Sequence, residues 1–362
     1  MSGGNGKVKR MIKVLIVDDS AVMRKILTEE LSKYQDIEIV GTAVDPYIAR
    51  NKIVRVRPDV ITLDLEMPRM DGLSFLAKLM KYYPVPVVIL SSFTPENSEN
   101  ALRALELGAV EAICKPGSAY ATTDISRRLV HAIRAAASSR IVSLKQSATA
   151  PAIGQLNNLH VQTADKVIAI GASTGGTKAI EAVLMSFPEN MPGILIVQHM
   201  PENFTHAYAE RLNKMCSLEV REAKDYDHVG PGVALIAPGD RHMMLSQSGE
   251  KKVVKIKGGP PVNYQRPSVD VLFQSVARCV GKNAIGVLLT GMGADGAKGM
   301  LALYERGANT IAQDEESCVV FGMPREAIRL GAVEKVVPLQ EIPRTIIEAL
   351  DNPRRKPREK RL

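Results

Sequence analysis

Residues 11–19, with the sequence MIKVLIVDD, form a short apolar run that ends in two aspartates, Asp18 and Asp19. A second apolar run ends at Asp64, and a third ends just before Lys115. In a parallel α/β sheet the carboxyl ends of the strands meet at one edge, where ligands bind. We therefore expect three carboxylates and one lysine to lie together at one edge of such a sheet.

Residues 11–140 alternate strand-like segments with amphipathic, helix-like segments. The predicted strands are 13–17, 37–41, 60–63, 85–90 and 109–114. The predicted helices are 21–33, 46–56, 72–82, 97–107 and 123–140. Consecutive βα units of this kind predict an N-terminal doubly wound (βα)5 domain over residues 11–140.

The alternation stops at residues 141–165, which are rich in Ser, Gln, Asn and Thr and predict a linker. It resumes over residues 166–350, with hairpin-like turns at Pro238-Gly239 and Ser248-Gly249. The predicted strands there are 167–171, 194–198, 233–237, 253–256, 284–289 and 309–313. The predicted helices are 177–187, 205–214, 268–280, 295–306 and 324–330. This pattern predicts a second α/β domain, with a mostly parallel sheet plus an antiparallel hairpin.

The composition is typical of a soluble globular chain. Of 362 residues 45% are hydrophobic, and no apolar stretch reaches the ~18 residues of a membrane span. The cysteines are far apart, as in reduced cytosolic proteins, so we expect a cytoplasmic protein without membrane insertion. The net charge of +8 arises in residues 1–10, which carry +3, and in residues 353–362 of a basic tail at 351–362, which carry +5. We expect a solvated tail there rather than a nucleic-acid site.

The three aspartates suit a hard cation. Like charges this close need a cation or a proton between them, and Mg²⁺ prefers oxygen ligands and binds phosphate. Lys115 adds a positive charge and Ser91 a hydroxyl at neighbouring strand ends. This set is typical of phosphoryl transfer to a carboxylate. The alternative, that a strand-end aspartate caps the next helix, explains any one position but explains the whole set poorly.

The acidic set resembles the receiver domain of two-component response regulators over residues 11–135. The resemblance rests on Asp18-Asp19, Leu63-Asp-Leu-Glu-Met-Pro-Arg-Met-Asp-Gly72, Ser91 and Lys115-Pro116. It implies that Asp64 accepts the phosphoryl group and that Mg²⁺ is held by Asp19, Asp64 and the backbone carbonyl of Glu66, with Asp18 behind them. It also implies that Ser91 and Lys115 respond to the phosphoryl group, although Ser92 leaves the position of the hydroxyl open.

A second candidate site begins at residues 171–176, Gly-Ala-Ser-Thr-Gly-Gly, which satisfy G-x-S-x-G between a predicted strand and a predicted helix. In that context a serine is presented as a nucleophile, and the helix N-terminus offers N–H groups to an oxyanion. Ser173 needs a base oriented by a carboxylate. His199 ends the next strand and Asp295 follows a later one, so the three predict a catalytic triad.

Each member of this triad has a plainer explanation. The glycine-rich turn is also compatible with a helix entry or a dinucleotide-phosphate loop, His199 with a hydrogen-bonded strand end, and Asp295 with a helix cap. Their joint occurrence at three strand ends favours the triad. The chain order Ser, His, Asp differs from that of the α/β-hydrolases.

The second half of the chain is similar to the bacterial chemotaxis protein-glutamate methylesterase (CheB-type) family from about residue 166 to residue 350. The similarity rests on Ala169-Ile-Gly-Ala-Ser-Thr-Gly-Gly176, Gln198-His-Met-Pro201, Ala237-Pro-Gly-Asp240, His242-Met243 and Leu289-Thr-Gly-Met-Gly-Ala-Asp-Gly296. It implies Ser173 as nucleophile, His199 as general base and acid, and Asp295 as the residue that orients His199. Thr174 and Met292 fall where the family lines the oxyanion position.

Together the two resemblances imply a phosphorylation-activated serine hydrolase. It would demethylate glutamate methyl esters, and deamidate glutamines, on methyl-accepting chemotaxis receptors. A chemotaxis histidine kinase would supply the phosphoryl group. Mg²⁺ would serve receiver phosphorylation only, and hydrolysis would need no cofactor.

Two other functions remain as alternatives. A dinucleotide-dependent oxidoreductase is disfavoured because the strand after the glycine-rich turn ends in Gln198-His199 rather than in an acidic residue that would bind a ribose. A receiver joined to a non-catalytic interaction module is distinguished by labelling of Ser173 with a serine-reactive probe. A DNA-binding output is disfavoured because the second half is long and α/β.

Overall fold

The structure is a computed structural model that describes residues 11–67, 70–92, 94–115, 122–139, 165–202 and 204–351. The chain forms two compact units that divide between Ile141 and Val142. The predicted linker, apart from Asp165, and the basic tail beyond Asp351 lie outside the described residues. Among the helices of the described ranges, none is long and apolar enough to cross a membrane.

The first unit is a five-stranded parallel sheet with helices between successive strands. Its strands are β1 (Ile12–Val17), β2 (Ile37–Ala43), β3 (Val60–Asp64), β4 (Val87–Ser91) and β5 (Glu111–Cys114). Its helices are α1 (Ala21–Leu31), α2 (Pro46–Val56), α3 (Gly72–Tyr82), α4 (Pro95–Leu107) and α5 (Thr122–Ser138). The strand order β2-β1-β3-β4-β5 confirms the predicted doubly wound (βα)5 arrangement.

Local sequence explains where these elements begin and end. Strand β1 is apolar almost throughout, and Val14 to Val17 are fully buried, as expected for a parallel sheet covered on both faces. Helix α2 begins after Asp45, whose carboxylate accepts a hydrogen bond from the N–H of Ile48 at 2.8 Å. It ends at Arg57, which adopts a left-handed φ of 44° before a proline.

The second unit is a seven-stranded parallel sheet accompanied by a two-stranded antiparallel hairpin. Its strands are β6 (Val167–Ala172), β7 (Gly193–Gln198), β8 (Glu219–Glu222), β9 (Val233–Ile236), β10 (His242–Ser248), β11 (Lys251–Lys257), β12 (Ala284–Leu288), β13 (Asn309–Gln313) and β14 (Lys335–Val337). Its helices are α6 (Gly176–Leu184), α7 (Phe204–Met215), α8 (Val269–Cys279), α9 (Ala297–Glu305), α10 (Met323–Arg329) and α11 (Ile342–Asp351).

The order of the large sheet is β14-β13-β12-β6-β7-β9-β8, and each neighbouring pair is parallel. The chain runs outward from β6 on one side and then returns to β12 on the other. Strands β6 and β12 therefore border the topological switch point, where ligands bind in open α/β sheets. In the first unit the corresponding switch point lies between β1 and β3.

The predicted fold class is confirmed, and the structure adds local detail. The turn at Ser248-Gly249 joins β10 to β11, so the predicted strand 253–256 belongs to the hairpin. The turn at Pro238-Gly239 instead leads from β9 in the large sheet to β10 in the hairpin. The sequence analysis did not predict hairpin strand β10, helix α11 or the edge strands β8 and β14. The two edge strands are short, and β8 contains a single apolar residue, Val220, so its pattern is weak.

Candidate active site and acidic site

The register of β6 and β7 brings Ser173 and His199 to neighbouring positions. Ala172 and Gln198 are direct partners in the parallel ladder, and the N–H of His199 donates to the carbonyl of Ala172 at 3.1 Å. Ser173 directly follows Ala172, and His199 directly follows Gln198. Since paired strands lie about 4.8 Å apart, the strand ends place the two residues side by side. Both side chains are nearly buried.

His199 is held by Asp295 from the other side of the switch point. Its Nε2 lies 2.8 Å from Oδ2 of Asp295, and the two side chains are 5% and 2% exposed. An ionised carboxylate only accepts hydrogen bonds, so Nε2 carries a proton, and in the neutral imidazole Nδ1 then carries the lone pair. Among the described residues, the buried Nδ1 has no hydrogen-bond partner. If His199 acts as the predicted base, the nitrogen available for this is Nδ1, whereas chymotrypsin-like triads use Nε2.

Asp295 is ordered by a dense set of donors. Oδ2 also accepts from the N–H of Val269 at 2.7 Å, and Oδ1 accepts from Ser268 Oγ at 2.8 Å and Asn263 Nδ2 at 2.9 Å. Burial alone would raise the pKa of Asp295, but the bonds from His199, Asn263 and Ser268 hold that pKa below its usual value. Asp295 thus stays ionised, as an orienting carboxylate must.

Sequence reasoning missed these supporting residues. Ser268 begins helix α8, where its Oγ also accepts from the N–H of Val271 at 3.5 Å. Its signal in the sequence is that of an ordinary helix cap. Asn263 lies in a loop between the hairpin and α8, and no spacing rule connects it to Asp295.

Gln198 ties the backbone of Ser173, the predicted nucleophile, to the backbone of His199. Its Nε2 donates to the carbonyl of Ser173 at 3.0 Å and to that of His199 at 3.1 Å. The turn leaves room for this amide only because residue 176 is glycine, since a Cβ on Gly176 would collide with Gln198 Oε1. The preceding residue, Gly175, has a φ of +79°, a left-handed backbone conformation that favours glycine. The packing of Gln198 against residue 176 and the positive φ of residue 175 thus explain why both residues are glycines.

The two residues predicted for the oxyanion position lie in two segments that a backbone hydrogen bond joins. Thr174 is 3% exposed, and its carbonyl accepts from Thr290 Oγ1 at 3.0 Å. Met292 is partly buried in the loop that follows β12. The Ser173 N–H donates to the carbonyl of Thr290 at 3.0 Å, which ties this loop to the serine turn.

The acidic site of the first unit is assembled as the sequence predicts. Lys115 Nζ lies 2.6 Å from Asp64 Oδ2 and 3.1 Å from Asp18 Oδ2, and both aspartates are almost fully buried. Burial raises the pKa of Asp64 to about 6, although Lys115 acts in the opposite direction. Arg24, which the sequence did not single out, donates to the carbonyls of Asp18 and Asp19 at 2.9 Å each.

The donor atoms of this site fit a hard cation. Carboxylate oxygens of Asp18, Asp19 and Asp64 lie within 4.8 Å of one another, which suits an ion with oxygen ligands. Glu66 is next to them, and its N–H donates to Asp64 Oδ1 at 3.0 Å. Of the two candidate hydroxyls, Ser91 is buried at the end of β4, whereas Ser92 Oγ donates to Glu66 Oε2 at 2.9 Å.

Comparison with known proteins establishes the family. The chain is 58% identical over 337 residues to "Protein-glutamate methylesterase/protein-glutamine glutaminase 2" of Syntrophus aciditrophicus (strain SB), which covers 93% of this chain and 98% of that relative. The chain belongs to the protein-glutamate methylesterase/protein-glutamine glutaminase family. A methylesterase/glutaminase of Salmonella typhimurium is 55% identical over 333 residues, or 91% of this chain and 95% of the relative.

Both parts of the methylesterase/glutaminase architecture are present. Residues 14–125 match the response regulator receiver domain, and residues 168–346 match the CheB methylesterase family. The crystal structure of the Thermotoga maritima CheB methylesterase catalytic domain aligns with a TM-score of 0.50 at 40% identity, covering 51% of this chain and 97% of that structure. The predicted family, enzyme class and receiver-plus-methylesterase arrangement are confirmed. The roles of individual site residues stay predictions.

Proposed function

We propose that this chain is a phosphorylation-activated hydrolase that demethylates glutamate methyl esters and deamidates glutamines on chemotaxis receptors. The observation that supports it most directly is the buried His199–Asp295 pair beside Ser173, within a chain of the methylesterase/glutaminase family. A nearly buried imidazole with one nitrogen bonded to an ionised carboxylate and the other without a partner is arranged to accept a proton.

In the proposed reaction Ser173 Oγ attacks the γ-carbonyl carbon of the methyl ester. His199 Nδ1 takes the hydroxyl proton, and the resulting imidazolium is stabilised by Asp295. The tetrahedral intermediate collapses as His199 returns the proton to the methoxy oxygen, and methanol leaves. Water, deprotonated by the same nitrogen, then releases the glutamate carboxylate and regenerates Ser173. With a glutamine substrate the same sequence of steps releases ammonia.

The oxyanion of the intermediate needs donors beside Ser173. We assign this role to backbone groups at Thr174, in the serine turn, and at Met292, in the loop that follows β12, with help from the N-terminal end of helix α6. The hydrogen bond from the Ser173 N–H to the Thr290 carbonyl holds the serine turn and the loop that follows β12 in a fixed relation. All hydrolytic steps assigned here use these groups and water.

Asp64 is proposed as the phosphoacceptor of the receiver. Its carboxylate is within 2.6 Å of Lys115 Nζ, which would neutralise an incoming phosphoryl oxygen. Asp19, Asp64 and the Glu66 carbonyl, with Asp18 behind them, would hold Mg²⁺, which supplies charge neutralisation of the phosphoryl group when bound. Ser91, buried at the end of β4, is the residue proposed to respond to phosphorylation.

The biological setting follows from these assignments. We propose a cytoplasmic enzyme whose phosphodonor is a chemotaxis histidine kinase and whose substrates are methyl-accepting receptors. We assign it neither a nucleic-acid partner nor a membrane-inserted segment. The proposed domain limits are 11–140 for the receiver, 141–165 for the linker, 166–350 for the catalytic domain and 351–362 for the tail.

The test is release of labelled methanol from methylated receptors by the full chain, with and without a small-molecule phosphodonor and Mg²⁺. Phosphodonor should increase the rate in the wild-type chain and leave it unchanged in Asp64→Asn. Ser173→Ala should release no methanol above background. Normal release by Ser173→Ala would exclude the proposed nucleophile, and stimulation of Asp64→Asn would exclude the proposed phosphoacceptor.

A further inference from the structure

The loop between the hairpin and helix α8 is fixed to its surroundings at both ends. At its start the carbonyl of Pro260 lies 3.1 Å from Nε2 of the buried His242. Near its end Arg266 makes two contacts with Asp240 Oδ1, at 2.9 and 2.6 Å, while the N–H of Asp240 donates to the carbonyl of Arg266 at 3.2 Å. The tip of the loop is therefore held in a defined place.

That tip is a tight turn with an unusual composition. Val262 and Gln265 exchange two backbone hydrogen bonds, at 3.0 and 2.9 Å. The residues between them, Asn263 and Tyr264, have φ values of +51° and +64°. Positive φ at both central positions is typical of a type I′ turn, which favours Asn followed by Gly. Asparagine fits the first position, but a tyrosine at the second is strained, and such strain concentrates at functional sites.

The turn directs the Asn263 amide towards two buried carboxylates. Nδ2 donates to Asp295 Oδ1 at 2.9 Å and to Asp270 Oδ2 at 2.7 Å. Asp270 is 2% exposed, and its other oxygen accepts from the N–H of Gly299 at 2.6 Å. One amide thus uses both of its protons to join the predicted triad acid to a second acid that the proposed mechanism does not use.

Two carboxylates bonded to one nitrogen repel each other when both are ionised. Burial raises the pKa of Asp270, and the nearby charge of Asp295 raises it further, whereas the Asn263 bond lowers it. Without that amide the two carboxylates would lose the donor they share, and one of the two would rotate or take up a proton. Either event would disturb the Asp295 oxygen that fixes the tautomer of His199.

We propose that Asn263 is a positioning residue of the hydrolytic site, which keeps Asp295 aligned on His199 Nε2 and separates it from Asp270. This inference rests on the proposed role of Asp295 as the triad acid. It assigns a specific purpose to the strained turn, since a left-handed backbone at Asn263 directs its amide inward while Tyr264, 86% exposed, points to solvent.

The test uses two variants of Asn263 and one matched control in the full-length chain. Asn263→Gly removes the amide but tolerates the positive φ, so the turn should persist. Asn263→Asp keeps the shape and the backbone preference but replaces the donor by a third acceptor. Tyr264→Gly relaxes the same turn and keeps the amide, so it should match the wild-type chain in activity.

We expect Asn263→Gly to lower kcat for methanol release by about 10- to 100-fold, the effect of one lost hydrogen bond to a charged group. KM should change by less than about twofold, because alignment rather than substrate binding is lost. Asn263→Asp should be slower still. Imidazole ¹⁵N spectra, with the His199 signal identified by its absence in His199→Gln, should show the Nε2–H tautomer in the wild-type chain and a mixture in Asn263→Gly.

The outcomes separate this inference from the proposed function. Wild-type kcat and an unchanged His199 tautomer in Asn263→Gly, together with an inactive Ser173→Ala, would overturn the positioning role alone. Full activity of Ser173→Ala would overturn the triad itself. A loss of activity in Tyr264→Gly equal to that in Asn263→Gly would assign the effect to the turn and not to the amide, which also refutes the inference. Thermal unfolding of each variant tells misfolding from misalignment.

Discussion

Replacing Asp295 by asparagine is expected to disable the hydrolytic site through both geometry and charge. Oδ2 accepts hydrogen bonds from His199 and from the N–H of Val269, and Oδ1 accepts from three further donors. Whichever carboxylate oxygen is replaced by the NH₂ group of asparagine, that NH₂ group faces N–H or O–H donors and cannot accept their hydrogen bonds. If the NH₂ group faces His199, the imidazole must move its proton to Nδ1, the nitrogen that the mechanism needs as a base.

The magnitude follows from the bonds that are lost. Hydrogen bonds to a charged group contribute roughly 1.5–3 kcal/mol each, so the loss of two, partly relieved by relaxation, should lower the free energy of unfolding by about 2–4 kcal/mol. For a unit of this size the corresponding fall in Tm is roughly 5–15 °C. An inverted histidine tautomer lowers kcat by about 10⁴-fold in a serine protease, and we expect an effect of that order here.

Initial rates of methanol release and thermal unfolding, measured on the same preparations, check both numbers. Ser173→Ala is the control, since it should lose more activity than Asp295→Asn with little change in Tm. If Asp295→Asn keeps its rate within about tenfold of the wild-type rate, the carboxylate does not set the tautomer of His199, and the reasoning from its hydrogen bonds is wrong.

Three further predictions follow from particular contacts. Asp64→Asn should abolish phosphoryl labelling. In EDTA at pH 7.5 it should also stabilise the receiver by about 2–3 kcal/mol, because the pKa of Asp64 is raised from 3.8 to about 6 and ionisation of this carboxyl therefore opposes folding. That gain should shrink as the pH falls below about 6, which urea unfolding at pH 5 and 7.5 would show. Gly176→Ala should lower stability by about 1–3 kcal/mol because its Cβ would collide with Gln198, whereas Gly258→Ala, with only an ordinary contact at 3.5 Å, should not. A chain that begins at residue 166 should hydrolyse receptor esters at a rate that phosphodonor does not change, and stimulation by phosphodonor would contradict the assignment to Asp64.

Much of the fold could be predicted because both sheets are parallel and buried. Apolar runs such as Val14 to Val17 give a strong strand signal, and the residues that end them converge on one edge whatever the details of packing. The same reasoning predicts from the sequence alone that Ser173, His199 and Asp295 lie together. Edge strand β8 was missed because its exposed face is polar and its buried face offers only Val220.

The support of the site could not be predicted, because it depends on contacts between distant loops. Asn263 precedes Asp295 by 32 positions, and its amide reaches the carboxylate only because a turn with two positive φ values directs it there. Gln198 was part of a recognised motif, yet its bonds to two carbonyls depend on the register of β6 and β7. Likewise, the proposal that Nδ1 is the base follows from the contact between Nε2 and Asp295.

The central claim is that Ser173 is the nucleophile and that Nδ1 of His199 activates it. The most direct measurement is the mass of the chain after brief reaction with a methyl-glutamyl receptor peptide and acid quenching. We expect an acyl adduct on the Ser173 peptide that lacks the methoxy group, and no adduct in Ser173→Ala or His199→Ala. Methanol release at the wild-type rate by the Ser173→Ala chain would contradict it.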